Sequence, residues 1–248
     1  MKKTFLKFFC IALISQALFF FKVFAAPTHV TEFDISGQET VATGITFNSN
    51  GTKMFIVGIN GDEINEYSLS VAYDLSSTVT HLEAFDISGS TGVPQDVAFN
   101  ANGTEVFVVS AGGEIFSWTL ATAYDVSNPT ANHDINLGDN LRGLKFNTDG
   151  SKMFVYNAVT DSVVEYTLST AYDPSTRSST TVSYLSTEIT RDQQGMAFSS
   201  DGTKMYLVEG RVGGAANFIA EYNLSIGYDL SLIHISAPTR LGMISYAV

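Results

Sequence analysis

One phrase recurs four times in this chain, and nothing else in the sequence restricts the fold as much. It reads "GITFNSNGTKMFIVG" from Gly44, "DVAFNANGTEVFVVS" from Asp96, "GLKFNTDGSKMFVYN" from Gly143 and "GMAFSSDGTKMYLVE" from Gly195. A second phrase follows each: "INEYSLSVAYDLS", "IFSWTLATAYDVS", "VVEYTLSTAYDPS" and "IAEYNLSIGYDL". The turn glycines Gly51, Gly103, Gly150 and Gly202 stand 52, 47 and 52 residues apart. A unit of that size cannot bury its apolar face alone and must stack on its neighbours.

Each unit holds four candidate strands. In "GITFN" the apolar Ile45 and Phe47 alternate with Gly44 and Thr46, the period of two that a strand imposes. Asn or Asp before Gly suits the positive φ of a tight hairpin turn. "KMFIVG" is an apolar run expected of a strand covered on both faces, and "INEYSLS" alternates again with Tyr67 and Leu69 on one side. A fourth strand comes from phrases such as "HLEAFDIS". The mature chain shows no helical period. The pattern predicts an all-β fold, a β-propeller of four-stranded antiparallel blades of about 50 residues, with about four blades over residues 26–229 and the ring incomplete. "HVTEFDIS" (His29 to Ser36) resembles "HLEAFDIS" (His81 to Ser88), so the chain is expected to open on an outer strand that completes another blade.

The repeat resembles the YVTN and lactonase-like β-propeller repeats, in which a D-G-T/K turn precedes a "lYV" strand. The likeness covers roughly residues 29 to 229. It implies architecture more than activity, because such propellers serve as enzymes, adhesins and scaffolds.

The two ends differ from the repeat. Residues 1–25 read as a secretory signal peptide, with Lys2 and Lys3 ahead of an apolar run and a cut expected after Ala25. Lys7 and Lys22 leave that run short of the ~20 apolar residues a bilayer span needs. The lone Cys10 lies inside it, so the mature chain is held by its core without disulfides. Losing the four lysines moves the formal charge from −12 to −16, which excludes nucleic-acid binding through a basic face. A secreted or periplasmic location follows, with no membrane contact after cleavage. At the other end "LSLIHIS" can be spelled CTG TCT CTT ATA CAC ATC TCC, which looks like a transposase-based sequencing adaptor. Residues 230–248 are accordingly read as a translated adaptor-derived tail and the chain as a fragment, and the resemblance to lactonase-like propellers implies six to eight blades in the parent. An open last sheet is expected to make the expressed chain unstable or aggregation-prone.

Propeller ligands gather at the channel mouth, near the start of each innermost strand. The polar residues there are Gln95, Asp96, Arg142 and Gln194, joined by Arg191 and Asp192; Asp96 stands where the other three units have Gly. Together they could bind a polar or anionic ligand or a divalent ion, or else hydrogen-bond neighbouring loops and line a water-filled channel. Glu66, Glu165 and Glu221 recur in the third strand, which favours inter-blade pairing, and Tyr73, Tyr124, Tyr172 and Tyr228 are expected between blades with the following Asp capping a turn. His29, His81 and His133 fall away from the inner strands, and no nucleophile–base pair, resident metal, cofactor or phosphate loop is called for. The leading reading is a binding or protein-interaction module whose partner is an unknown protein or a polar small molecule or glycan. The alternatives are a lactonase-like hydrolase or lyase acting around Asp96 and Arg142, and a structural repeat domain of a larger surface or phage-associated protein.

Overall fold

The computed structural model describes residues 29–138, 140–179, 181–185, 193–209 and 218–232. The signal segment, Arg191, Asp192 and the tail from residue 233 lie outside them. The chain divides after Val30, and the unit from Thr31 carries every strand described.

The fold is an all-β propeller of four blades. Blade 1 comprises β1 (Ala42–Phe47), β2 (Lys53–Gly58), β3 (Glu63–Leu69) and β4 (Val79–Asp86). Blade 2 comprises β5 (Pro94–Phe99), β6 (Glu105–Ser110), β7 (Glu114–Thr119) and β8 (Thr130–Asn136). Blade 3 comprises β9 (Leu141–Phe146), β10 (Lys152–Asn157), β11 (Ser162–Thr167) and β12 (Val182–Leu185). Blade 4 comprises β13 (Gln193–Phe198), β14 (Lys204–Glu209) and β15 (Phe218–Asn223), a three-stranded sheet among the described residues. All pairings are antiparallel between consecutive strands. The first strands lie side by side, β1 against β5, β5 against β9 and β9 against β13, so they form the inner rim.

Burial follows the sequence pattern. Every residue of β2 after Lys53 is buried, as is every residue of β6 after Glu105. β6 meets blade 1 on one face and blade 3 on the other, whereas β2 meets blade 2 on one face and Phe33 and Ile35 of the preceding segment on the other. Phe55, Val57 and Ile64 of blade 1 pack against Val97, Val106, Val108 and Trp118 of blade 2. The same arrangement recurs between blades 2 and 3 and between blades 3 and 4. Each such side chain contributes about 1.5–3 kcal/mol on burial.

The Gly turns are tied to the recurring tyrosines. Gly51, Gly103, Gly150 and Gly202 have φ of 70–73°, and Tyr73, Tyr124, Tyr172 and Tyr228 have φ of 57–58°. Each tyrosine N–H donates to the turn glycine carbonyl of its own blade, at 2.8–3.0 Å. Its ring lies over that glycine so closely that a Cβ at Gly51 would sit 2.2 Å from Tyr73. Positive φ at an aromatic residue is uncommon, and here the ring's contact holds it. The next Asp then caps: Asp125 Oδ1 accepts from Ser127 N at 3.0 Å, and Asp74, Asp173 and Asp229 do the same in their blades.

Blades are joined by a polar clamp as well as by the core. Between blades 1 and 2, Lys53 Nζ pairs with Glu66 Oε1 and donates to the Tyr124 carbonyl, both at 2.6 Å, while Glu66 Oε2 accepts from Val126 N at 3.0 Å. Between blades 3 and 4, Lys152 pairs with Glu165 at 2.6 Å and donates to the Tyr228 carbonyl at 2.7 Å, and Glu165 Oε2 accepts from Leu230 N at 2.8 Å. Leu230 is thus buried core of blade 4. The junction between blades 2 and 3 departs from this scheme. The residue matching Val126 and Leu230 is Pro174, which has no N–H to offer. Opposite it, Glu105 and Ser117 stand where the other blades have Lys and Glu.

Candidate functional site

Each innermost strand carries a register shift at the same place. Ala42 pairs with Gly58 and Gly44 with Val57, which leaves Thr43 as an extra residue. By the same count Gln95, Arg142 and Gln194 are the extra residues of β5, β9 and β13. A bulge leaves one residue out of the ladder and re-aims its side chain, and such features concentrate at rims and binding sites. Three of the residues singled out at the channel mouth are therefore bulge residues, and Thr43 completes the set. The surrounding backbone repeats from blade to blade while the residue at the bulge changes.

The four positions differ in what they touch. Thr43 Oγ1 donates to the carbonyl of Pro94 at 2.8 Å, linking blades 1 and 2. Gln95 is half-buried, and among the described residues its Nε2 reaches its own loop, at the Val93 carbonyl 3.4 Å away. Among the described residues, the half-buried Arg142 has its Nε out of solvent with no partner, and Asn140 Oδ1 two residues earlier is likewise buried without one. The side chain of Gln194 lies outside the described residues, as do Arg191 and Asp192.

Asp96 lies one residue past the bulge and is buried. Its Oδ1 accepts from Val97 N at 2.9 Å, and its Oδ2 accepts from Leu144 N at 3.0 Å and from Lys145 Nζ at 2.7 Å. Both oxygens are thus filled by protein donors, two of them from blade 3. Lys145 is as exceptional in its repeat as Asp96, since the matching residues are Thr46, Ala98 and Ala197. The pair occupies the one junction that lacks the Lys–Glu clamp. The sequence held the signal for this pairing: two departures from the repeat, in adjacent blades, of opposite charge.

Two concavities flank these strands. One, of about 520 Å³, is lined by Phe47, Ala98, Phe99, Lys145, Phe146 and Tyr172 at the far ends of the inner strands. The other, about 570 Å³, lies over blade 2 and is lined by Thr91, Ser110, Glu114, Trp118, His133 and Asp134. Beside it His133 Nε2 stands 3.5 Å from Asp173 of blade 3. Burial pushes the Glu105 carboxyl above its usual range, against the lowering effect of the Asn132 amide that donates to it at 2.6 Å. Among the described residues no group of three His, Cys, Asp or Glu side chains is placed to hold a metal ion.

No protein-family model matches the chain, and no curated protein does either. Many solved structures share its fold. A candidate 6-phosphogluconolactonase from Bacteroides fragilis superposes with a TM-score of 0.51 at 14% identity, over 81% of this chain and 53% of that one. A functionally unknown protein from Desulfotomaculum acetoxidans gives 0.51 at 17% identity, over 83% and 58%. Hydrazine synthase from Kuenenia stuttgartiensis gives 0.50 at 16% identity, over 81% and 49%. The chain spans about half the length of these structures, and what they have in common with it is the propeller.

Proposed function

We propose that this chain is an exported propeller module that binds a polar or anionic ligand, a glycan or an acidic protein segment, at the rim formed by its bulged residues. The observation that carries the reading is Arg142. It is a guanidinium at a bulge, half-buried, with its Nε out of solvent and unpartnered among the described residues, and a buried donor left unmatched costs about 1–3 kcal/mol. A ligand oxygen would relieve that cost. The acid that hydrolysis at the mouth would draw on, Asp96, already accepts three protein hydrogen bonds and spans two blades. The likeness of the repeat to YVTN and lactonase-like propellers suits either role.

The test titrates the full chain with polygalacturonate as an acidic glycan probe and dextran as a neutral one, and assays gluconolactone hydrolysis in parallel. Binding weakened at least tenfold by Arg142→Ala, with no hydrolysis, is the expected result. Lactone hydrolysis lost in Asp96→Asn would replace the reading with the enzyme, and binding untouched by Arg142→Ala would remove the rim.

A further inference from the structure

Three Asn–Gly pairs occur in the chain. Asn50–Gly51 and Asn102–Gly103 form the first hairpin turns of blades 1 and 2, and Asn60–Gly61 lies in the next turn of blade 1. Asparagine is a thermolabile residue, and before glycine it is most so, because no Cβ shields the following backbone nitrogen from the side-chain carbonyl. The sequence makes the three pairs alike, but their surroundings differ.

At Asn50 the side-chain oxygen is held by two donors of one residue, Thr52 N at 3.1 Å and Thr52 Oγ1 at 2.6 Å. Thr52 Oγ1 accepts in turn from Asn48 Nδ2 at 3.3 Å. Blade 2 repeats the chain, with Asn100 Nδ2 on Thr104 Oγ1 at 3.2 Å and then Thr104 Oγ1 and N on Asn102 Oδ1 at 2.7 and 3.2 Å. A run of donors ending on one oxygen favours negative charge there. Blades 3 and 4 carry that charge. Asp149 Oδ1 accepts from Ser151 N and Oγ at 2.9 and 2.6 Å, and Asp201 Oδ1 from Thr203 N and Oγ1 at 3.0 and 2.9 Å. Asn50 and Asn102 thus put an amide in a carboxylate's seat, and neither Nδ2 has a partner among the described residues. Both residues are exposed, Asn102 even though blade 2 has a blade on each side.

Asn60 is placed otherwise. Its Nδ2 donates to Thr40 Oγ1 at 2.6 Å, and the Gly61 N–H donates to the buried Glu39 carboxylate at 3.0 Å. Leaving group and nucleophile are both tied, and a carboxylate at position 60 would join Glu39, Asp62 and Glu63 in one acidic turn.

We infer that the Asn50–Gly51 and Asn102–Gly103 turns are deamidation sites that convert themselves to aspartate, and that Asn60–Gly61 is not. The Gly51 nitrogen leaves its hydrogen bond to the Asn48 carbonyl, gives its proton to water and bonds to Asn50 Cγ. The Thr52 N–H and hydroxyl hold the side-chain oxygen as it becomes an oxyanion. The Cγ–Nδ2 bond then breaks, and ammonia leaves with a proton from water, which forms a cyclic imide. Water adds at Cγ, whose oxygen the same donors polarise, and breaks the new Cγ–N bond. That restores the Gly51 N–H and leaves an aspartate at position 50. Addition at the main-chain carbonyl would instead leave isoaspartate, with an extra backbone carbon where Gly51 packs against the Tyr73 ring. Blade 2 follows the same course through Gly103, Asn102 and Thr104. The turns are separate from the bulge rim, so either proposal can fail alone.

The test incubates the full chain at neutral pH, folded and in urea, and follows each site by peptide mass mapping with isoaspartate resolved from aspartate. In the folded chain Asn50 and Asn102 should convert about tenfold faster than Asn60 and yield chiefly aspartate. In urea the three rates should converge and isoaspartate should prevail. Thr52→Val should slow Asn50 about tenfold in the folded chain, as one lost oxyanion donor requires, while Asn102 in the same molecule keeps its rate and reports that the variant is folded. Thr52→Ser, which gives blade 1 the hydroxyl of blade 3, should keep the Asn50 rate. The comparison with Asn60 needs no variant. Asn60 converting as fast as Asn102 in the folded chain, isoaspartate as the main folded product, or an Asn50 rate indifferent to Thr52→Val would each overturn the inference.

Discussion

Glu66 of blade 1 accepts a hydrogen bond from the backbone N–H of Val126 in blade 2, 3.0 Å away across 60 residues of sequence, while its other oxygen holds Lys53. The carboxylate is buried and the ammonium partly wet, so removing the acid leaves an unmatched N–H and a cation without its partner. Glu66→Ala and Glu165→Ala should each cost about 3 kcal/mol, read as a fall in the urea midpoint. A loss below the ~0.5 kcal/mol of an ordinary surface change would show that the core alone joins these blades.

The junction at Pro174 tests the same rule in reverse. Installing the clamp with Glu105→Lys and Ser117→Glu should destabilise by about 2 kcal/mol, since the new carboxylate faces a residue without an N–H. Adding Pro174→Leu should recover most of that loss. If the triple variant is no better than the double, the match between Glu and an N–H is not what selects the pair.

Asp96 and Lys145 should behave as one unit. Asp96→Asn and Lys145→Met are each expected to destabilise, and together by less than their sum, with a coupling of about 1–3 kcal/mol from a double-mutant cycle. Strict additivity would mean that the 2.7 Å contact carries no energy.

Two glycines separate backbone strain from crowding. Gly138 has φ of +78° with nothing within 4 Å of a would-be Cβ, so Gly138→Ala should cost about 1–2 kcal/mol of left-handed strain alone. Gly150 has φ of +72° with Tyr172 2.2 Å from that Cβ, so Gly150→Ala adds a further ~1–3 kcal/mol of overpacking. Equal costs would remove the tyrosine from the account of the turn.

The capping aspartates set the acid limb of stability. Hydrogen bonds from Ser199 and Thr203 hold the Asp201 carboxyl down at about 2, and those from the following serines lower Asp74, Asp125, Asp149 and Asp229. A carboxylate whose folded pKa lies below its unfolded one contributes fully above pH ~4 and loses that contribution as pH falls through the folded value. The stability gap between the parent and Asp201→Asn should therefore narrow from pH 4 to pH 2 in urea titrations. A constant gap would contradict it.

The repeat made the blades legible because its information is local. Alternation in "GITFN", Asn or Asp before Gly and the run in "KMFIVG" each specify a strand or turn within a few residues, and stacking four such units leaves little choice of architecture. Even the structural duty of Glu66 and Glu165 could be read from recurrence. The mouth was read only in part. Position in the repeat located Gln95 and Arg142, but that they are bulge residues depends on pairing with β6 and β10, which no single strand encodes. Asp96 stood out as an exception to a glycine pattern, and only packing brought its carboxylate to the Leu144 N–H and Lys145 of the next blade. The sequence by itself determined strands, turns and their fourfold recurrence, because backbone sterics and apolar period act over short spans. The tertiary structure alone decided which polar groups are consumed between blades and which, like the Arg142 Nε, find no partner among the described residues, because burial and hydrogen bonding are settled by neighbours about 50 residues or more away.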